Sequence, residues 1–285
     1  MFFCRLPKNP YFCGAKKVFT TKTDRTMTKV ALIGAGNMGG ALAHGWIHSG
    51  QTALTIADKN EQTLKEFKEK YPSVTVTDNN KAAVREADIV VLAVKPWLMD
   101  KVLDEIRPEL DLDRQIIVSD AANYGTDKLS SKLGGAGQYF YVIPNIAAEY
   151  GNSMSFVAHN GQATEENIRK VTGLYSLCGE VMEVEEKQVE AGMMMASCGI
   201  AYVMRMVRAM TEGGVEMGFY PHQAQQIAMQ TMQGAVSLLR ESGLHPEAAI
   251  DKVTTPGGVT IKGLNELDRT GFNAAVVSCL KAGMK

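Results

Sequence analysis

Short apolar runs alternate with helix-compatible stretches over the first two thirds of the chain. The runs fall at residues 29–33, 54–57, 74–76, 89–94 and 116–119, with later ones at 139–143, 153–158 and 181–184. The stretches between the early runs, such as residues 40–48 and 61–70, have helical composition. This alternation predicts βαβ units, a parallel sheet and right-handed crossovers.

Beyond Glu185 the strand signals stop and the pattern becomes helical. We predict a helix over residues 188–217, a second from Pro221 to Arg240 after a break at Gly218, and a short third opened by Pro246. The many methionines in these helices are interpreted as core or subunit-interface packing, because thioethers fill irregular gaps. The sequence therefore predicts an α/β domain over residues 27–186 and an all-α domain over residues 187–285.

The first 26 residues differ from the rest, since they are rich in lysine and arginine and show no sustained period. A transit peptide is basic and poor in acids in this way, but Pro7 and Pro10 argue against the amphipathic helix that it needs. We interpret residues 1–26 as a disordered tail or an extension upstream of a natural start at Met27.

Composition excludes several classes of protein. A formal net charge of -1 gives no basic field for nucleic acid, and the apolar run at residues 89–94 is far shorter than the ~20 residues of a bilayer helix. We therefore expect neither nucleic acid nor membrane as a partner. The five cysteines are odd in number and widely spaced, which favours a reducing cytoplasm.

A glycine-rich motif follows the first predicted strand and opens a helix. Its residues are Gly34, Ala35, Gly36, Asn37, Met38 and Gly39. In this context glycines allow the backbone to approach a pyrophosphate, and free amides at the helix N-terminus meet its charge. The motif predicts a Rossmann-like dinucleotide-binding domain.

Two residues at the end of the second strand bear on the choice of dinucleotide. Asp58 lies where a carboxylate holds the hydroxyls of the adenosine ribose, which favours NAD, whereas Lys59 can attract a 2′-phosphate. NADH and NADPH therefore both remain open. Alternatively, Asp58 caps the helix that begins near Asn60, and Lys59 is solvated.

Conventional catalytic sets are missing from the sequence. The five histidines stand apart without metal-ligand spacing, and no GxSxG or Cys-His pattern is present, so no metal site is predicted. The segment AVKP places Lys95 and Pro96 at the carboxyl edge of the sheet, where ligands of such folds bind. An exposed strand-end charge is the alternative for Lys95.

The segment TTPGGVT, residues 254–260, interrupts the last helices. Pro256 is expected to stop one helix, the two glycines permit unusual backbone geometry, and a helix resumes over residues 259–267. The amides of residues 257–260 would then be unpaired and able to hold a carboxylate. The alternative is a plain turn with Thr254 or Thr255 as N-cap.

Five segments closely resemble the pyrroline-5-carboxylate reductase family: GAGNMGG, ADIVVLAVKP, EGGVEMGF, QTMQGAVSLL and, above all, DKVTTPGGVTIKGLNELDRTG. The likeness is collinear from about residue 28 onward. It implies a Rossmann-like domain followed by an all-α dimerisation domain, in homodimers that assemble into a larger ring such as a decamer. The reaction it implies is reduction of L-1-pyrroline-5-carboxylate to L-proline by NADPH or NADH, the final step of proline biosynthesis.

The resemblance also implies roles for particular residues. It places the phosphate loop on residues 34–39, the adenosine-side contacts on Asp58, Lys59 and Asn80, and the nicotinamide-side contacts on Ala93, Val94, Lys95, Pro96, Ala121 and Ala122. Its substrate loop falls on Pro256, Gly257, Gly258, Val259 and Thr260. The amides of this loop would take the substrate carboxylate, and the Thr260 hydroxyl, the one catalytic candidate, would reach the imine nitrogen.

Two segments depart from the family pattern. Residues 143–147 read IPNIA where the family usually has MPNTP, and residues 196–201 read ASCGIA where it has SGSGPA. A different small-acid dehydrogenase on the same scaffold would need a lysine within residues 190–209, where none occurs. A non-catalytic dinucleotide-binding protein would not need an intact TTPGGVT.

Overall fold

The computed structural model describes residues 27–284, so the interpretation of residues 1–26 lies outside the described residues. Eight strands form one sheet in the order β3-β2-β1-β4-β5-β6-β7-β8. Their bounds are β1 Thr28–Ile33, β2 Thr52–Ala57, β3 Thr75–Thr77, β4 Ile89–Leu92, β5 Ile116–Ser119, β6 Gln138–Ile143, β7 Ser153–His159 and β8 Gly179–Glu183. All eight predicted runs are therefore strands.

The predicted parallel sheet is present from β1 to β6, and β7 departs from it by running antiparallel to β6. The chain between β6 and β7 contains only a 3-10 turn, Ile146–Tyr150, instead of a crossover helix. Because a parallel return needs a crossover of a dozen or more residues, this short connection reverses the strand direction. β8 is again parallel to β7, after a helix over Glu165–Ser176.

Helices cover both faces of the sheet. They are α1 Asn37–Ser49, α2 Glu61–Lys70, α3 Asn80–Val84, α4 Met99–Ile106, α5 Thr126–Leu133 and α6 Glu165–Ser176. One core forms around Trp46, Phe140 and Tyr175, and a second around Leu103 and Tyr139. The Trp46 indole donates to the carbonyl of Leu174 at 3.0 Å, which ties α1 to α6.

The remainder of the described chain is helical, as predicted. The helices are α7 Glu186–Gly192, α8 Gly199–Glu216, α9 Pro221–Ser242, α10 Pro246–Lys252, α11 Val259–Arg269 and α12 Phe272–Lys281. The single helix predicted over residues 188–217 is interrupted, because Met193–Ser197 forms a π-helical turn in which the Cys198 amide donates to the Met193 carbonyl at 2.9 Å. Such turns often lie at functional sites.

The described residues divide into two compact units. One comprises residues 27–200 with 283–284, and the other residues 201–282. The domain boundary at residue 186, read from the sequence, stays a prediction. No helix between residues 27 and 284 combines the length and hydropathy that a bilayer crossing needs.

Candidate active site

A cavity of about 590 Å³ runs along the carboxyl ends of the parallel strands. Because parallel strands end at one edge, the segments that follow β1 to β6 meet there. Its lining includes most of the predicted cofactor residues: Gly34, Gly36, Asn37, Met38, Asp58, Lys59, Asn80, Ala93, Val94, Lys95, Pro96, Ala121 and Ala122. Ala35 and Gly39 are buried behind this surface and do not line it.

The glycine-rich turn forms an open cradle at the N-terminus of α1. Gly34 has φ 96°, which a residue with a side chain rarely adopts. No described side chain caps α1, and its first turn contains no acidic residue, so the free amides of that turn remain available to an anion. A Cβ on Gly36 would meet nothing within 4 Å. The geometry fits a diphosphate.

Asp58 fixes the shape of this turn. Its Oδ2 accepts from the Ala35 amide at 2.6 Å, and its Oδ1 accepts from the Asn60 amide at 2.8 Å. The alternative that Asp58 caps α2 is wrong, because Asn60 is the N-cap and accepts from the Gln62 and Thr63 amides. Asp58 holds the glycine-rich turn against the end of β2 and keeps lone pairs for a ligand.

Lys59, Asn80 and Glu105 form a polar cluster at the same end of the cavity. The Lys59 ammonium donates to the Asp78 carbonyl at 2.7 Å and pairs with Glu105 Oε1 at 3.3 Å. The Asn80 amide donates to Glu105 Oε2 at 3.0 Å. The Lys59 side chain is thus paired although it is 64% exposed, and its role toward a ligand stays a prediction. Sequence reasoning missed Glu105, since it belongs to no motif, although it shares one face of α4 with Lys101, which also lines the cavity.

The AVKP segment leaves the sheet after Leu92, at the middle of the cavity. The Ala93 amide still donates to the Ile33 carbonyl at 2.9 Å, which fixes this segment against the glycine-rich turn. Lys95 is exposed, lines the cavity and precedes a 3-10 turn, Pro96–Leu98. Its position at the carboxyl edge of the sheet agrees with the prediction, while its side-chain role stays a prediction.

Asp120 follows β5 and is a buried acid in the cavity wall. Its Oδ1 accepts from the Tyr175 hydroxyl at 2.6 Å, and its buried Oδ2 has no hydrogen-bond partner among the described residues. Burial raises the pKa of Asp120 to about 8, and the Tyr175 hydrogen bond opposes that rise only partly. The protonated, neutral form of this acid is therefore favoured beside Ala121 and Ala122 at neutral pH.

The TTPGGVT loop lies in the unit of residues 201–282. α10 already ends at Lys252, and α11 begins at Val259 with Gly258 as an N-cap that has no side-chain hydrogen bond, so the alternative N-caps Thr254 and Thr255 are wrong. Gly257 has φ 73°. The Gly258 amide donates to the Thr255 carbonyl at 2.9 Å, which corrects the expectation that all four amides of residues 257–260 are unpaired.

Two family models match the chain. That of pyrroline-5-carboxylate reductase dimerisation matches residues 186–285, and that of coenzyme F420-dependent NADP oxidoreductase matches residues 29–123. The pyrroline-5-carboxylate reductase of Methanosarcina acetivorans is 32% identical over 255 residues, covering 88% of this chain and 94% of that protein. The chain belongs to the pyrroline-5-carboxylate reductase family.

Further comparisons agree with membership of the pyrroline-5-carboxylate reductase family. Pyrroline-5-carboxylate reductase 1 of Dictyostelium discoideum is 32% identical to this chain, and the match covers 87% of the chain. That protein is longer, so the match covers only about half of it, 47%. The crystal structure of Plasmodium falciparum pyrroline carboxylate reductase with NADP bound superposes with a TM-score of 0.82 at 25% identity, covering 90% of this chain and 97% of that one. The α/β and helical architecture is therefore that of the reductase family.

The two segments that depart from the reductase pattern meet at the cavity. Ile143, Pro144 and Ile146 line it, as do Met193 and Ser197 from the π-helical turn. The side chain of Asn145 donates to the Ala196 carbonyl at 3.4 Å, which joins the two segments directly. Sequence reasoning marked both segments as departures but did not name Met193 and Ser197 as cavity residues, because a π-helical turn has no simple sequence signal.

Proposed function

We propose that this reductase binds NAD(P)H in the cavity formed by residues 33–197 and binds its substrate at the loop of residues 256–260. The chain reduces L-1-pyrroline-5-carboxylate to L-proline, as an NAD(P)H-dependent oxidoreductase acting on a C=N bond. The observation that carries the proposal is the uncapped N-terminus of α1, open at Gly36, inside a cavity that spans the carboxyl ends of β1 to β6.

The cavity offers distinct surroundings for the parts of a dinucleotide. Residues 34–39 would take the diphosphate on their amides, with Asp58 holding the turn in shape. Lys59 and Asn80 would lie on the adenosine side, and residues 93–96 with Ala121 and Ala122 on the nicotinamide side. The apolar lining near Ile143 would exclude water from the nicotinamide side.

We assign substrate binding, as part of the proposal, to the N-terminus of α11. Gly258 caps it without a side-chain bond, so the amides of Val259 and Thr260 face outward and would take a carboxylate. NAD(P)H supplies a hydride to the imine carbon and leaves as NAD(P)⁺, while the nitrogen carries or gains one proton. The exposed Thr260 hydroxyl would hydrogen-bond that nitrogen and orient the ring.

Purified protein tests the proposal through oxidation of NADPH and of NADH in the presence of L-1-pyrroline-5-carboxylate, with proline confirmed as the product. Turnover that needs the imine and gives one proline for each cofactor oxidised supports it. Cofactor oxidation without proline, or no turnover despite cofactor binding, contradicts it.

Replacing Thr260 by alanine is expected to lower kcat/KM for the imine about tenfold to hundredfold, because one orienting hydrogen bond in the transition state is lost. The dissociation constant of NADH should stay unchanged, and Thr260→Ser should retain most activity. Thr270→Ala is the matched control, since Thr270 lies at the other end of the same helix and its hydroxyl bonds only to the backbone, at Glu266 and Leu267. Turnover at the wild-type rate in Thr260→Ala would show that the Thr260 hydroxyl has no role in the reaction.

The match of residues 186–285 to the dimerisation model of the reductase family indicates that the chain forms homo-oligomers. We propose further that its dimers build a larger ring such as a decamer and that it works in the cytoplasm. Exposed apolar side chains on α8 and α9, among them Met204, Met210 and Met229, support burial between copies. Sedimentation equilibrium distinguishes a dimer from a ring by mass.

A further inference from the structure

NADPH differs from NADH by a phosphate on the 2′-oxygen of the adenosine ribose. The preference of the reductase between them therefore depends on whether the polar cluster of Lys59, Asn80 and Glu105 binds a 2′-hydroxyl or a 2′-phosphate. We propose that Glu105 is the residue that sets this preference and that it favours NADH over NADPH. The inference rests on the proposed function, because it requires that the cavity holds the dinucleotide.

Contacts within the cluster place Glu105 between the two natural donors for a 2′-phosphate. Its Oε1 pairs with the Lys59 ammonium at 3.3 Å, and its Oε2 accepts from the Asn80 amide at 3.0 Å. The Glu105 side chain is 29% exposed, against 64% for Lys59, so the carboxylate forms part of the cavity wall instead of facing bulk solvent. Both donors are thus directed toward the protein.

Any anion that bonds to Lys59 must approach Glu105. The ammonium that would hold a 2′-phosphate lies 3.3 Å from one carboxylate oxygen of Glu105. A phosphate monoester carries between one and two negative charges near neutral pH, so a phosphate on this ammonium would be brought close to the Glu105 carboxylate, and like charges repel each other in a partly desolvated cavity. Asp58, immediately before Lys59 in the chain, adds a second carboxylate to the cavity lining.

A 2′-hydroxyl meets no such penalty. A hydroxyl both donates and accepts, so it can donate to a carboxylate of Glu105 or Asp58 and accept from the Asn80 amide. Lys59 meanwhile keeps its bond to the Asp78 carbonyl at 2.7 Å. The cluster is therefore complementary to the unphosphorylated ribose of NADH.

The charge of Glu105, more than its shape, carries this preference. Glu105→Gln keeps the side-chain length and an oxygen for Asn80, but it removes the negative charge and the ion pair with Lys59. The ammonium is then available to a 2′-phosphate. The substitution should raise the affinity for the phosphorylated ribose and leave the affinity for the unphosphorylated one nearly unchanged.

Isothermal titration of the intact, cofactor-free enzyme with 5′-AMP and with adenosine 2′,5′-bisphosphate isolates this position, because the two probes differ only in the 2′-phosphate. We expect Glu105→Gln to shift the ratio of their dissociation constants roughly tenfold toward the bisphosphate, with 5′-AMP binding changed less than about twofold. NADPH and NADH should follow the same order in titration and in kcat/KM. The shift should shrink at high salt.

Glu109→Gln is the matched control. Glu109 follows α4 directly and pairs with Arg85 at 2.8 Å, so the same change of charge occurs beside the same helix but outside the cavity lining. Its ratio should equal that of the wild type. Adding Lys59→Met to Glu105→Gln should cancel the gain, since the gain acts through the released ammonium.

An unchanged ratio in Glu105→Gln, or an equal change for both probes, overturns the role of Glu105. A ratio that moves equally in Glu109→Gln overturns it as well, because the effect would then be one of general charge. Failure of the proposed function has a different signature: neither probe would bind in competition with NADH, and Gly36→Ala would leave NADH binding intact.

Discussion

Gly36→Ala is expected to weaken NADH and NADPH binding at least about a hundredfold while leaving the thermal stability of the cofactor-free protein nearly unchanged. Gly36 has φ −68° and ψ −161°, a conformation open to alanine, and its added Cβ would meet no protein atom within 4 Å. The methyl group would instead occupy the cradle at the start of α1, where the backbone must approach a pyrophosphate closely. Fold and binding are therefore separable at this residue.

Gly39→Ala is the companion variant, with the opposite outcome for stability. A Cβ on Gly39 would overlap the carbonyl oxygen of Gly34 and crowd the Ala93 side chain, so the backbone of the turn would have to move. Overpacking of this kind typically costs about 1–3 kcal/mol. Thermal melts of the two cofactor-free variants, followed by titration with NADH, distinguish them. Normal NADH affinity in Gly36→Ala would contradict the placement of the diphosphate.

Sequence patterns predicted most of the fold, because the information they carry is local. Each strand is a short apolar run, and the glycine motif between β1 and α1 is a local backbone requirement that only certain residues meet. Their order along the chain then places the predicted cofactor residues at one edge of the sheet. The family resemblance added the reaction and the loop of residues 256–260.

Features that depend on long-range packing were not predictable from those patterns. The direction of β7 depends on the short connection after Ile143, and the π-helical turn at residues 193–197 looks in sequence like ordinary helix. Glu105 becomes a cavity residue only when α4 packs beside Lys59 and Asn80. The pairing of Asp120 with Tyr175 joins residues 55 positions apart. In each case a contact distant in sequence decides the environment of the residue.

Asp120→Asn is expected to stabilise the cofactor-free protein, increasingly so as the pH rises from about 5 to about 8. The pKa of Asp120 is about 8 in the folded protein against an ordinary 3.8, because burial disfavours the charged form. Between these values the folded protein binds a proton that the unfolded chain releases, so the wild-type free energy of unfolding falls as pH rises, and the loss is complete only above pH ~8. The neutral asparagine avoids this proton linkage and still accepts from the Tyr175 hydroxyl.

The expected gain is large for one substitution. Each pKa unit corresponds to about 1.4 kcal/mol, so the difference in free energy of unfolding should be roughly 1.7 kcal/mol at pH 5 and on the order of 5 kcal/mol at pH 8, with a plateau beyond. Asp100→Asn is the matched control, because Asp100 accepts from the Tyr124 hydroxyl at the same 2.6 Å but is exposed. Thermal and denaturant unfolding from pH 5 to 9 measures both variants. An increase in the free energy of unfolding of Asp120→Asn that does not vary with pH, or one that Asp100→Asn matches, would contradict this prediction. It would mean that the pKa of Asp120 is not raised in the folded protein, because the Tyr175 hydrogen bond then offsets the effect of burial.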